Sequence, residues 1–181
     1  MRKVILGMNI TLDGFVAGPN GELDWMFPHF DREFLGSTME TLRTIDTFVM
    51  GRVNYQQMAA HWPTAQDPMA PIMNAAQKIV FSRTLTRVEW ANAKLANGNP
   101  AEVIGELKRQ PGGYIGVAGG ARFARSVIEA GLVDEFRLSV HPVLLGAGLA
   151  IFPSRFDLEA LSSKLYPKGV VVTNYRPAEY S

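Results

Sequence analysis

The sequence predicts an α/β fold in which strands and helices alternate and glycine turns mark the junctions. Three stretches carry that prediction. In Tyr114-Ile-Gly-Val-Ala-Gly-Gly-Ala-Arg122 a short apolar run, Ile115 to Ala118, breaks at Gly119-Gly120; Phe123, Val127 and Ala130 then recur at helical spacing until Gly131 stops the helix, and a further strand follows up to Val140. Thr47-Phe-Val-Met50, Gly51-Arg52 and Val53 to Ala60 repeat the order strand, glycine, helix. Lys78-Ile-Val-Phe81 is a third strand, ending at Ser82-Arg83.

The remaining elements follow from local signals. Val4 to Leu12 is a β-rich run that opens into a long loop marked by Asp13-Gly14, Gly18-Pro19 and Asn20-Gly21. The end of that loop, Leu23-Asp-Trp-Met-Phe-Pro28, is apolar enough to pack on something, either a ligand or the edge of the core. Phe34, Leu35, Met39 and Leu42 follow at helical spacing, with Asp31 placed to cap the first turn. Residues His61 to Pro71 read as an exposed excursion, Met73 to Gln77 as a helical turn, and Val88-Glu-Trp90 as a short strand. Asn99-Pro-Ala-Glu102 has the cap, first-turn proline and acidic third position of a helix start, and Pro111-Gly-Gly113 stops that helix. An apolar loop, His141 to Gly148, is closed by Phe152-Pro153, and Ser163 to Tyr166 with Val170 to Tyr175 form a C-terminal antiparallel hairpin.

With 181 residues, 47% of them hydrophobic, the chain is expected to fold as one domain over 1-181 without covalent staples. It contains no cysteine, which excludes disulfides, thiol nucleophiles and Cys-ligated zinc. A formal charge of +1 offers no electrostatic footprint for nucleic acid, and no basic run points to an anionic membrane, so the expected partner is a small molecule. Polar Asn9, Thr11 and Asp13 interrupt the apolar start before it reaches signal-peptide length, and no stretch approaches a membrane span of about 20 apolar residues. A cytoplasmic protein is expected.

The chemistry lies at the strand ends. A turn between a strand and a helix is where α/β sheets bind ligands, because the helix points unpaired N–H groups and a positive dipole end at them. Gly119 and Gly120 would admit a pyrophosphate close to the backbone, and Arg122 would add a charge-assisted contact. Gly51-Arg52 repeats that pattern, and Ser82-Arg83 offers a hydroxyl and a guanidinium suited to a phosphate monoester such as the 2′-phosphate of NADP. Each pair, taken alone, is equally what a plain turn uses; their repetition favours an extended anion. His29, His61 and His141 are isolated, with no pair at a helical metal-ligand spacing, so no metal is expected. There is no Gly-x-Gly-x-x-Gly fingerprint, no phosphate loop ending in Gly-Lys-Ser/Thr and no Gly-x-Ser-x-Gly elbow.

Five stretches in order resemble the dihydrofolate reductase-like superfamily, and within it the reductase domain at the C-terminal end of the bifunctional riboflavin-biosynthesis deaminase-reductase. They are Thr11-Leu-Asp-Gly-Phe-Val-Ala-Gly18, Met50-Gly-Arg52 with Tyr55, Lys78-Ile-Val-Phe-Ser-Arg-Thr-Leu85, Val117-Ala-Gly-Gly-Ala121, and Ala130-Gly-Leu-Val-Asp-Glu135 with Pro142-Val-Leu-Leu-Gly146. The resemblance implies a three-layer α/β/α dihydrofolate reductase-like fold around a mixed, mostly parallel sheet, NADPH as hydride donor, and a homodimer. Carried over by position, Gly51 and Arg52 meet cofactor phosphates, Ser82 and Arg83 the 2′-phosphate, and Gly119, Gly120 and Ala121 the pyrophosphate. The loop from Asp13 and Gly14 to Asp24 and Trp25 lies beside the nicotinamide and substrate. Folate-reducing relatives carry an acid shortly after a Trp-x-x-Pro; here Trp25-Met-Phe-Pro28 precedes Asp31, which is either that acid or a helix cap. The implied function is an NADPH-dependent reductase of a small pterin- or pyrimidine-like heterocycle, acting on CH-NH or C=N groups. A stand-alone 5-amino-6-(ribosylamino)uracil reductase and a non-catalytic nucleotide- or flavin-binding module are the alternatives. The homodimer is expected through the hairpin, because Val170-Val-Val172 with Tyr175 is too apolar for a bare sheet edge, and Val143-Leu-Leu145 and Phe152 would extend the same surface.

Overall fold

In the computed structural model, residues 1–152 and 154–178 are described; Pro153, expected to close the apolar loop, lies outside them. Eight strands form one sheet in the order β4-β3-β2-β5-β1-β6-β8-β7, where β1 is Val4–Thr11, β2 Ile45–Gly51, β3 Gln77–Phe81, β4 Ala93–Leu95, β5 Tyr114–Val117, β6 Glu135–His141, β7 Leu158–Leu165 and β8 Val171–Pro177. Strands β1 to β6 are mutually parallel, so their carboxyl ends share one edge. The hairpin β7–β8 joins β6 antiparallel, as the alternation in the tail predicts.

Five helices cover the two faces: α1 (Arg32–Arg43), α2 (Arg52–His61), α3 (Ala70–Ala75), α4 (Pro100–Arg109) and α5 (Ala121–Glu129). Side chains alternate across a strand, so Leu6 and Ile10 of β1 join Val49, Ile115 and Val117 under Ile104 and Leu107 of α4 and Ala124, Val127 and Ile128 of α5. Phe48, Met50 and Val80 point the other way, to Tyr55 of α2 and Met73 of α3, and Phe34 of α1 packs on Tyr166 and Val170. The result is three layers, α/β/α. Helix α4 begins with the full capping box, Asn99 and Glu102 exchanging side-chain and backbone bonds, with Pro100 in the first turn.

Three expectations are corrected. The short strand is not Val88 to Trp90 but Ala93–Leu95, which pairs with Lys78 to Val80. The backbone N–H groups of Glu89 and Trp90 instead donate to the Tyr55 hydroxyl (2.9 and 3.3 Å), and the Trp90 indole donates to Asn74 Oδ1, so this run is spent anchoring α2 and α3. Helix α3 starts at Ala70, earlier than Met73, because Pro71 fits a first helical turn; Gln77 already belongs to β3. The hairpin valines are covered within the chain: Val170 is fully buried under Phe34, and Val171 lies between Val140 and Leu165. The exposed apolar side chains of the hairpin are Leu161 and Leu165 on the edge strand β7.

Candidate active site

The strand order places three of the singled-out turns side by side. Gly51 closes β2 opposite Phe81, the last residue of β3, and Val49 of β2 pairs with Val117, the last residue of β5. Ser82-Arg83, Gly51-Arg52 and Gly119-Gly120 therefore lie along one edge, and β1 is the next strand over. At about 4.8 Å per strand, β3 to β1 spans on the order of 14 Å, suited to an extended ligand that crosses several strands.

The turns are held against one another by close contacts. A Cβ on Gly51 would come within 3.1 Å of Phe123 Cβ, so α5 sits directly on the end of β2. Phe123 stacks on Phe81 with ring centroids 5.3 Å apart, and Asn54 of α2 donates from Nδ2 to the Ala118 carbonyl at 3.0 Å. Gly119 and Gly120 have φ of +39° and +74°, and a Cβ on Gly119 would stand 2.5 Å from Asn54 Oδ1. Neither Gly51 nor Gly120 offers a side chain to cap the helix it begins, so the first N–H groups of α2 and α5 are open to an anion. Ala121 is the first residue of α5.

Four polar side chains ring these N-termini. Arg52 is exposed and touches only Gln56 (3.3 Å), and Arg83 and Arg122 are exposed with no partner among the described residues. Ser82 Oγ accepts from the N–H groups of Thr84 and Leu85 at 3.2 and 2.9 Å, which leaves its own hydrogen to donate.

Beside this edge, the floor opens over β1. Leu6 pairs with Val117, the final residue of β5, so Gly7 to Thr11 run on past β5 with only β6 alongside. Gly7 is exposed in a central strand, and a Cβ built there would meet nothing within 4 Å. Two residues on, Asn9 shares that face, its Oδ1 2.9 Å from Nε2 of the fully buried His141. Trp25, His29, Phe30 and Phe34 surround the imidazole, with ring centroids 5.3 to 6.0 Å away. Burial, and secondarily the nearby His29, push the His141 pKa down to about 4. His29 and His141, isolated along the chain, thus meet in space; among the described residues no group of three or more His, Cys, Asp or Glu is arranged to hold a metal.

The acidic candidates are engaged in backbone contacts. Asp31 caps α1, accepting from Phe34 N at 2.9 Å and from Lys168 N of the hairpin turn at 3.2 Å. The Phe34 bond above all holds its carboxyl below the usual range, the charge state of a cap rather than of a proton donor. Asp13 accepts from the Thr11 hydroxyl at 2.6 Å and from Leu145 and Gly146 N–H at 3.1 and 2.7 Å, tying the loop after β1 to the loop after β6. Ala17 and Leu149 bridge the same two loops, and Gly14 lies in the turn between. Asp24 is exposed at the start of a 3-10 turn, Asp24–His29, which buries Trp25 over His141. Surface depressions of about 340 Å³, at the opposite edge beside Arg2 and Gly113, and about 480 Å³, between α1 and Lys164, touch none of the three turns.

Sequence reading missed Gly7, Asn9, Asn54, Phe123 and His141. Gly7 and Asn9 lie at alternate positions of a strand whose neighbours are all apolar, a signal visible along the chain; Asn54, Phe123 and His141 act through partners distant in sequence.

A sheet of this order, with helices on both faces and glycine turns at the carboxyl edge, is the dihydrofolate reductase-like fold. The structure of Enterococcus faecalis dihydrofolate reductase complexed with NADP(H) superposes with a TM-score of 0.65 at 17% identity, over 98% of this chain and 97% of that one. The Thermotoga maritima diaminohydroxyphosphoribosylaminopyrimidine deaminase/5-amino-6-(5-phosphoribosylamino)uracil reductase gives 0.70 at 14% identity, over 98% of this chain but 57% of the larger one. Within that fold, the chain belongs to the RibD C-terminal domain family, whose model matches residues 2–172. It is 36% identical to the uncharacterized protein YyaP of Bacillus subtilis (strain 168), over 96% of this chain and 94% of that one. No helix among the described residues is long and apolar enough to cross a membrane.

Proposed function

We propose that this protein is an NADPH-dependent reductase of a small planar heterocycle, pterin- or pyrimidine-like. The observation that carries this reading is the alignment of three turns with an open floor over Gly7: an extended anion laid across β3, β2 and β5 would end beside β1. The residues fit the cofactor. Ser82 and Arg83 would hold the 2′-phosphate, and the open N-termini of α2 and α5, with Arg52 and Arg122, the pyrophosphate. The nicotinamide would lie against Gly7, where the missing side chain leaves room.

Bound there, the cofactor supplies a hydride to an electrophilic C=N carbon of the substrate. The chain's own part is to fix donor and acceptor in register and to narrow access for water, through β1, the Trp25 turn and the loop pinned by Asp13. The nitrogen must also gain a proton, and with Asp31 engaged as a cap we assign that step to water entering over exposed Gly7. Stopped-flow mixing of NADPH-loaded protein with pterin, pyrimidine and quinone acceptors tests the reading. Accelerated cofactor oxidation with a heterocycle is expected; tight NADPH binding with no acceleration would leave a nucleotide-binding module in its place.

A homodimer belongs to the same proposal. Edge strand β7 carries Leu161 and Leu165, 46% and 69% exposed, and a bare apolar edge is ordinarily paired or covered. Leu165→Asp should shift the chain to monomers in sedimentation, whereas a wild type that is monomeric at micromolar concentration removes the dimer.

A further inference from the structure

The polar pair on the cleft side of β1 and β6 has no part in the cofactor half of the site. Asn9 Oδ1 faces His141 Nε2 at 2.9 Å. An amide oxygen only accepts, so the hydrogen sits on Nε2. His141 Nδ1 is buried without a partner, which a bare acceptor tolerates better than a stranded N–H would. The packing of Trp25, Phe30 and Phe34 around the ring leaves the imidazole no room for another orientation.

With its oxygen committed to His141, the Asn9 amide turns its NH2 group away from the aromatic cluster. That group has no partner among the described residues, and Asn9 is half-buried beside the open floor at Gly7. Two N–H donors at the edge of a cleft call for an acceptor from whatever occupies it.

We infer that Asn9 is the specificity-determining residue of the cleft, donating from its amide to a carbonyl oxygen on the edge of the heterocycle, and that His141 is the positioning residue that keeps the amide in that orientation. The inference rests on the reductase reading and sharpens it: the substrate is an oxo-heterocycle, of uracil or oxopterin type, rather than a fully amino-substituted one. A site built to donate to an oxygen disfavours an amino group of the same size, because two donors then face each other and one stays unpaired.

Two isosteric probes test this, 5,6-diaminouracil and 2,4,5,6-tetraaminopyrimidine, titrated calorimetrically at pH 8 into protein saturated with NADP⁺. Wild type should bind the uracil at least about tenfold more tightly. Asn9→Asp, which replaces the donor by an acceptor, should reverse the order. His141→Phe keeps the aromatic packing but frees the amide to flip, and should bring the two affinities together with NADPH binding unchanged. The ¹⁵N spectrum of wild-type His141 should show the Nε2–H tautomer without any ligand present. An Nδ1–H tautomer, an unchanged probe ratio in Asn9→Asp, or binding of neither probe to protein that does bind NADPH would each overturn the inference. Failure to bind NADPH at all would strike the reductase reading instead, and the tautomer would still decide the Asn9 orientation.

Discussion

The two halves of the cleft are built on different plans. In the cofactor half each functional group lies within a few residues of the strand that carries it, and Arg52, Arg83 and Arg122 are exposed. In the substrate half the decisive pair, Asn9 and His141, is 132 residues apart in sequence and sits against an aromatic cluster. Turns of the first kind can be altered one residue at a time with effects confined to binding. The second kind is continuous with the core, so its changes reach stability and specificity together.

Gly120→Val should break the cofactor half outright. A β-branched residue is strained at the φ of +74°, and its methyl groups would fill the space an anion needs at the start of α5. Loss of both NADPH and NADH binding by more than about 100-fold is expected by fluorescence titration. Circular dichroism should show the sheet intact; loss of NADPH alone would mean that the pyrophosphate lies elsewhere.

Acid should find the substrate half first. His141 takes up a proton near pH 6.5 in the unfolded chain but only near 4 in the folded one, its pKa lowered by burial and then by His29. The unfolded state therefore binds more protons in that window, so stability is intact above pH 6.5 and declines as the pH falls toward 4. A shift of this size corresponds to about 3 kcal/mol at most. Urea titrations from pH 7 to 4 should show that decline in the wild type and a shallower one in His141→Phe; parallel curves would refute it.

Arg83→Ala returns to the cofactor half with a milder effect. A charged hydrogen bond to phosphate is worth roughly 1.5–3 kcal/mol, a loss of about tenfold to a hundredfold in affinity. NADPH binding should weaken by that factor while NADH binding is unchanged, since only the former carries the 2′-phosphate. Equal weakening of both would place Arg83 on the pyrophosphate.

The same contrast explains what could be read from the chain. Gly51, Ser82 and Gly119 are legible because a strand, a turn and a helix start are all local patterns, and the capping box at Asn99 and Glu102 is more local still. The strand at Ala93–Leu95 was not, since Val88-Glu-Trp90 has the better β composition but gives its N–H groups to Tyr55, 34 and 35 residues away. Asn9 within a run of apolar residues was a visible anomaly; its partner His141 was not, because nothing in sequence joins the ends of β1 and β6 except the fold that pairs Thr11 with His141.

Asp31 lies where the two halves of the argument meet, and the smallest expected effect is the one that separates its readings. As a cap it accepts from Phe34 N and pins the hairpin turn through Lys168 N, and both bonds need only an oxygen at that position. Asn caps a helix as well as Asp does, so Asp31→Asn should leave the Tm nearly unchanged, while Asp31→Ala should lower it by roughly 2–4 °C, as expected for loss of one cap in a chain of this size. The carboxyl is held below its ordinary pKa by the Phe34 bond, so its contribution is fully present above about pH 4 and is lost only as the pH falls through the lowered value. Across neutral pH Asp31 is therefore charged and has no proton to give, and NADPH oxidation by heterocyclic acceptors should proceed in Asp31→Asn within a few-fold of wild type, with the same pH profile. A fall of about 100-fold at unchanged Tm would instead make Asp31 the acid, because a cap that Asn replaces cannot cost that much in the rate.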